Sequence, residues 1–586
     1  MGADPDEARS DLVTGVAGVF DPAGVDPGLV RDTVARVAPH RGALEVRTFA
    51  GWVVVAPLDD ATGPDIGGSP GLLAMDGRLD GVLGSGGSDT REGASTRLAR
   101  GLREPDLRSL DEVVGEFALC HVDPRGTATL TRDASGIRPL FWAGRGDRIG
   151  FASDVDTLRG LGLCGDAIDH AAVRSLLVNG GEYGERTCYP GVHRVVPGCW
   201  VRLEPGGRTT GGRWFRPEDV PVERGLTLPV AARRVRDAVV RSVADRARGH
   251  RVALWLSSGR DSAAVAVALA EAGIEATCFT YSFPGCGVES EAPFARELAR
   301  SLGHTWREIE VSPRVDPVRA TELADLVGRP VHGVTGPIQL AAYDAIRTAD
   351  ADVVMSGEMG DLLFAAFPVA LLDLLRRGHL RAFARGVRAF DERWMYGYGF
   401  TSKVLLRALA PRWVLARRER TRARPPWQIQ DGEVRVRAER SDAEYLRSLL
   451  IDGAEATESP ERLFAHAGAR LSWPLADRRV VDVALRLSPE LRLPIPVPKP
   501  VLEDAFLRDH AGGLVKASIG GYVDRLVAEY VSDFPSAFGP GSLAARNGLV
   551  MPSGLTLASD PRWRRSAADL AGLEMWLRLM EERDGT

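Results

Sequence analysis

Lysine is nearly missing from this chain of 586 residues. Of 74 basic side chains only three are lysines: Lys403, Lys499 and Lys516. Arginine supplies the rest, and its planar fork is no substitute for a compact ammonium, so chemistry that needs one has three candidates. Long hydrophobic runs are absent too. No stretch of about 18 apolar residues occurs, which leaves nothing to span a bilayer and no membrane partner to expect. The opening "MGADPDEARSDL" is acidic and lacks the apolar centre of a signal peptide, so a cytoplasmic location is expected. The six cysteines are scattered, with no C-x-x-C pair and no His/Cys cluster at metal-ligand spacing, so reduced and mostly buried thiols are expected. A net charge of −5 gives no reason to expect nucleic-acid binding by the whole chain.

What is present divides into two halves. The chain is too long for one core, and its 44% hydrophobic and 26% charged content is that of an ordinary globular protein. In the first third, short β-branched and aromatic runs alternate with Gly and Asp turns: "GVAGVFDPAG", "GWVVVAPL", "GEFALCHVDPRGTATLTRD", "RIGFASD". They read as antiparallel strands and hairpins. A Gly/Pro/charged passage follows, giving a domain over 13–210, a linker over 211–225 and a second domain over 226–586. The second domain alternates strand and helix: Val252–Leu256 then a helix, "ATCFTYSF" then "SEAPFARELARSLG", and "ADVVMSG" after "GPIQLAAYDAIRTA". That order predicts a doubly wound parallel sheet, whose ligands sit at the carboxyl ends of the strands. Beyond Leu362 the pattern is mainly helical.

Two loops fall at such ends. "SSGRDS" spans Ser257 to Ser262, between an apolar run and an Ala-rich helix; "SGEMGDLLF" spans Ser356 to Phe364. Small residues let phosphate approach the backbone, and the start of the following helix adds N–H groups and a positive dipole end. It is not the G-x-x-x-x-G-K-[ST] loop. Each loop also carries one aspartate, and two aspartates on adjacent strand ends form a hard oxygen site suited to Mg²⁺ on nucleotide phosphates. Either Asp alone would read as a turn cap.

These stretches resemble a known family. "SSGRDS" is similar to the S-G-G-x-D-S pyrophosphate loop of ATP-pyrophosphatase enzymes, and "SGEMGDLLF" to the second signature of asparagine synthetases. "GVAGVFD", "MDGRLDG", "RDASGIRPLFWA" and "FASDVDTL" resemble segments of that family's glutaminase domain. "RLSWPLADRRVVDVALRLSPELR", "KPVLEDAF" and "LAGLEMWLRL" are most similar to lasso peptide cyclases, relatives that use an amine of the substrate itself. The resemblance implies an N-terminal Ntn-hydrolase-like antiparallel β-sandwich flanked by helices, and a C-terminal parallel sheet of the ATP-pyrophosphatase type with added helices. It implies ATP and Mg²⁺ as cofactors, a precursor (core) peptide as substrate, and a leader-peptide recognition protein and a leader peptidase as partners.

Site residues follow from the same resemblance. Ser257, Ser258, Gly259 and Ser262 would hold the phosphates, Asp261 and Asp361 the metal, and Trp255, Tyr281, Ser356 and Gly357 the rest of the nucleotide. Glu358 matches the base for the attacking amine. A lysine is expected to offset charge in the transition state; Lys516 is placed ahead of Lys499, and surface positions for both remain open. The family's nucleophilic cysteine is replaced by Thr14, so glutamine hydrolysis is expected to be lost. Leu362 stands where asparagine synthetases have Glu. A small-molecule amide or β-lactam synthetase, an ammonia-dependent asparagine synthetase and a non-enzymatic degenerate scaffold stay open as alternatives; Ser258, Met359 and the displaced lysine speak for the last.

One segment has no place in that scheme. From Arg376 to Arg424 the chain carries fourteen basic residues against three acids. Arg377, Arg381, Arg385 and Arg388 recur at helical spacing, which reads either as a solvated face or as a docking surface for an acidic peptide or protein. Trp394, Tyr396, Tyr398, Trp413 and Trp427 read equally as core or as the lining of a peptide channel.

Overall fold

The computed structural model describes residues 15–37, 44–57, 63–66, 69–83, 91–179, 181, 184–314, 316–331, 333–393, 405–406, 409–420, 424–429, 439–452, 455–510 and 519–584. Twelve strands build the N-terminal part: β1 (Ala17–Phe20), β2 (Leu44–Phe49), β3 (Trp52–Pro57), β4 (Gly63–Ile66), β5 (Ser69–Val82), β6 (Val113–Val122), β7 (Ala128–Arg132), β8 (Phe141–Arg145), β9 (Arg148–Ala152), β10 (Val192–Arg194), β11 (Cys199–Leu203) and β12 (Thr209–Arg213). They form two antiparallel sheets of six, in the orders β10-β8-β9-β1-β3-β2 and β12-β11-β7-β6-β5-β4.

Period-2 alternation explains the layering. Trp52, Val54 and Ala56 of β3 point between the sheets, where they meet Leu72, Ala74, Ala118, Cys120 and Phe151. Val53 and Val55 point the other way, into the cluster that holds Val30 and Val34 of the helix Pro27–Val37. Leu73, Met75 and Leu79 on the outer face of β5 pack with Leu98 of the helix Arg91–Leu102 and with Val235 and Val239 of the helix Leu228–Ala247. The N-terminal part is thus a sandwich with helices on both outer faces.

Five more strands, β13 (Val252–Trp255), β14 (Ala276–Ser282), β15 (Thr305–Glu310), β16 (Val353–Met355) and β17 (Arg470–Ser472), make one sheet in the order β15-β14-β13-β16-β17. Every pairing in it is parallel. β13 lies at the centre, and its residues Val252, Ala253 and Leu254 are buried on both faces, as an unbroken apolar run in a covered sheet should be. β17 lies in the stretch read as mainly helical; three residues are too few to show a period.

A buried ionic layer joins the two parts at β17. Glu116 on β6 accepts from Arg246 Nε at 2.8 Å and from Ser472 Oγ at 3.0 Å. Arg246 also donates to Asp477 at 2.6 Å, and Arg138 pairs with Glu461 while donating to Leu471 O at 3.1 Å. Glu461 in turn accepts from Leu471 N at 3.0 Å. Nearby, Glu458 accepts from Arg194 at 2.9 Å and from Arg329 at 3.1 Å, with Arg132 at 3.6 Å. All six cysteines are free and five are buried. No described helix is long and apolar enough to cross a membrane.

Candidate active site

β13 ends at Trp255, and the chain turns through Ser257 and Ser258 into the helix Arg260–Glu271, which Gly259 caps in extended conformation. The loop is held by its own hydroxyls. Ser262 Oγ accepts from Ser257 N at 3.1 Å and lies 3.0 Å from Ser257 Oγ, which accepts from Gly259 N at 3.1 Å. Ser258, where the resembling motif has glycine, is buried, and its N–H donates to Glu291 at 3.2 Å.

The neighbouring strand β16 delivers the second loop. Glu358 N donates to Ser356 Oγ at 3.3 Å, and Gly360 opens the short helix Gly360–Phe364. Two glycines set how closely the loops approach. A Cβ on Gly357 would lie 2.4 Å from Ser262 N, and one on Gly360 would lie 2.2 Å from Asp261 Cγ. Only hydrogen fits at either position, so the second loop is pressed against the first at Asp261. Between them Met359 takes a left-handed φ of 74°, a conformation glycine would hold without strain. Leu362 is turned into the core with Leu363 and Phe364.

A third segment completes the arrangement. Lys499 is buried, at a left-handed φ of 53°, and starts the short helix Pro500–Leu502. Its Nζ hydrogen-bonds Asp261 and lies 2.5 Å from Asp361 Oδ1. The ammonium therefore sits between the two carboxylates, where it takes the electrostatic role of a cation. The segment is tied back to the first loop: Glu503 N donates to Lys499 O at 3.1 Å, and Arg260 Nε donates to Glu503 at 2.9 Å. Trp255 and Tyr281 stack at 5.0 Å with an interplanar angle of 20°, and Phe464 closes on Trp255 at 6.2 Å. Burial pushes the Tyr281 phenol far up, so it stays neutral.

The structure thus brings together Trp255, Ser257, Ser258, Gly259, Asp261, Ser262, Tyr281, Ser356, Gly357, Asp361 and Lys499, with the exposed Glu358 at the rim. Lys516 and Thr14 lie outside the described residues, as do Trp394, Tyr396 and Tyr398. Trp427 is a core residue and Trp413 is exposed. Sequence reasoning gave no role to Arg260, Glu291, Glu503 or Phe464. Arg260 and Glu503 fall inside the resembling stretches "SSGRDS" and "KPVLEDAF", and Glu291 sits just before the helix Ala292–Ser301, but nothing in the sequence signals Phe464.

The donor set suits a divalent ion only in part. Among the described residues no group of three or more His, Cys, Asp or Glu could hold a metal. Two aspartates leave most of an octahedral shell to other oxygens, the pattern of Mg²⁺ bound along with phosphates rather than in a protein cage. The ammonium between them shows that the pocket stabilises positive charge.

Residues 234–508 match the asparagine synthase family, and residues 99–215 match the glutamine amidotransferase domain. Among curated proteins the chain is 26% identical over 294 residues to the amidase chyE of Penicillium rubens, an overlap of 46% of this chain and 42% of the amidase. It is 28% identical over 241 residues to asparagine synthetase [glutamine-hydrolyzing] 1 of Bacillus subtilis, covering 41% of this chain and 37% of the synthetase. The chain spans about two fifths of the length of these relatives. The solved glutamine phosphoribosylpyrophosphate amidotransferase of B. subtilis aligns at 14% identity, over 58% of this chain and 81% of that one, with a TM-score of 0.24, too low to bear on the fold.

Proposed function

With an asparagine synthase domain, a module of ATP-dependent amide-forming ligases, joined to a glutamine amidotransferase domain as the premise, we propose that the chain is a lasso peptide cyclase. It closes a macrolactam between a peptide's N-terminal amine and an Asp or Glu side chain. The observation that carries the ligase chemistry is the Asp261–Lys499–Asp361 cluster beside the Ser257–Ser262 loop. The peptide substrate is supported by the cyclase-like segments around Trp473 and Lys499, and by Leu362. A buried leucine there offers no carboxylate to an amino-acid substrate.

In this reading a carboxylate oxygen of the peptide attacks the α-phosphorus of ATP. The bond from that phosphorus to the bridging oxygen breaks, and pyrophosphate leaves. The loop hydroxyls and N–H groups of Ser257 to Ser262 hold the phosphates. Asp261 and Asp361 would hold Mg²⁺, which when bound offsets phosphate charge. Lys499, freed from the carboxylates, supplies its ammonium to the negative charge that develops on phosphate and acyl oxygens. Glu358 takes a proton from the peptide's amine, because an ammonium has no lone pair to attack with. The amine attacks the acyl carbon, AMP departs and the amide closes. Trp255 and Tyr281 flank the nucleotide. Holding a folded peptide while its ring closes is an entropic task that needs a shaped site. A leader-recognition protein and a leader peptidase would prepare that peptide.

The test is an ATP-to-AMP assay with Mg²⁺, comparing a leader-free precursor peptide with aspartate plus ammonium, and weighing the products. AMP with the peptide, and a product lighter by one water, supports the cyclase. AMP with aspartate alone, giving asparagine, replaces it with an ammonia-dependent asparagine synthetase.

A further inference from the structure

The helix Leu380–Arg393 divides sharply into two faces. On the inner face Ala382, Ala389 and Phe390 pack with Leu371, Leu374 and Leu493. Gly386 lies so close that a Cβ there would stand 2.5 Å from Leu371 Cδ2. On the outer face Arg381, Arg385 and Arg388 are exposed, and Arg377 joins them from the turn before the helix. Among the described residues Arg377, Arg381 and Arg385 make no ion pair. The acids around the turn are already engaged: Asp373 accepts from Arg376 at 3.1 Å, and Glu490 bonds His379. Leu375 and Leu380, 45% and 61% exposed, border the arginines at the same turn. Arg440 reaches from this turn, where its carbonyl accepts from Arg376 at 2.6 Å, to Ala410 O at 3.4 Å. That contact brings up the chain bearing exposed Leu409 and Trp413.

We infer that this outer face docks an acidic segment of the peptide substrate, away from the part that reacts; the inference rests on the peptide-substrate reading. Charge complementarity is direct. Arg381 and Arg385 are about 6 Å apart along the helix, close to the roughly 6.6 Å between alternate residues of an extended strand. Carboxylates at every second position of such a strand would all face the helix and meet successive guanidinium groups, and an apolar side chain beyond the end of that row would meet Leu375 and Leu380. The location fits as well. Leu493, which the inner face packs against, lies six residues before Lys499, so the helix is packed on the segment that leads into the ligase cluster. A bilayer is a poor occupant, because an interfacial helix needs its apolar face free and this one is buried.

The experiment uses the full chain and needs no turnover. A fluorescein-labelled synthetic peptide of alternating Glu and Leu, about twelve residues long, is titrated by anisotropy at low and physiological salt. The R381E/R385E variant should bind about tenfold more weakly or worse, with most of the salt dependence gone. R381K/R385K keeps the charge and should bind within about threefold of the native chain. If charge reversal disturbs folding, seen as a lowered melting temperature, R381Q/R385Q carries the same expectation. Native-like binding by the reversed or neutral variants overturns the inference, as does no binding to the native chain. Displacement of the peptide by phosphatidylserine vesicles or single-stranded DNA, at concentrations where an acidic competitor peptide has no effect, assigns the face to those ligands instead. Arginine-dependent peptide binding alongside AMP formation only with aspartate would remove the proposed reaction and leave an acidic-peptide site.

Discussion

Cations are used in opposite ways at the domain boundary and in the cleft. At the boundary four arginines, Arg132, Arg138, Arg194 and Arg246, are wholly buried, and each faces a carboxylate across the junction. Guanidinium suits that duty: it keeps its charge at any ordinary pH, and its fork satisfies several acceptors at once. In the cleft the charge between Asp261 and Asp361 belongs to a lysine, compact and held at one point. Charge that stays put is carried by arginine; the charge that, in the proposed reaction, would change partners when phosphate arrives is carried by one of the few lysines. The difference separates an assembly device from a working one.

The comparison can be broken at its strongest point first. Arg246→Met takes the nearest cation from Glu116 and one of two from Asp477, leaving Arg138 at 3.8 Å and Arg479 at 2.9 Å, and chemical denaturation should show a loss of about 3 kcal/mol. A loss under 1 kcal/mol would mean that the layer is not a fixed assembly device. Asp261→Ala or Asp361→Ala should lower AMP formation by about 10²–10³-fold with stability nearly intact; wild-type turnover would remove the cleft from the chemistry. Lys499→Arg keeps the charge but not its shape, so AMP formation should fall by about 10²-fold. Full activity in that variant would erase the distinction drawn between the two cations.

Acid separates the regions further. Burial works against a charged Asp477, but Arg246 and Arg479 outweigh it and hold the carboxyl well below its ordinary value of 3.8. Glu116 is likewise lowered from 4.5, burial being overcome by Arg246 and Arg138. A depressed carboxyl binds fewer protons folded than unfolded, so its contribution is complete above those ordinary values and lost as pH falls below them. The melting temperature should drop steeply below about pH 4, and less steeply in Arg246→Met; equal slopes would place the acid sensitivity elsewhere. Smallest is Ser472→Ala, which removes one donor from Glu116 and should cost about 1 kcal/mol in the same denaturation measurement.

Much of this was legible in the order of residues. Short β-branched and aromatic runs between Gly and Asp turns mark the sandwich strands, and an unbroken Val252–Leu256 followed by small polar residues marks the central strand and its loop. Both aspartates were found from loops that end strands, a purely local signal. Lys499 was the harder case. The resemblance puts the expected lysine in the segment of Lys516, which lies outside the described residues, while Lys499 follows "LPIPVP", a run with no periodicity and no mark of the left-handed backbone. The ionic layer was invisible for another reason: Glu116 and Ser472 are 356 residues apart, and nothing local announces a partner at that distance. β17 was hidden by its length.

Lys499 carries one more consequence. A solvated lysine samples many rotamers, and fixing it costs about 2 kcal/mol of entropy. Here the stem is buried and the backbone set at φ 53°, so that freedom is surrendered when the chain folds rather than when a ligand arrives, as the proposed reaction would require. A phosphate arriving as proposed would meet an ammonium already ordered, and a substrate too weak to immobilise a flexible side chain would still find one waiting.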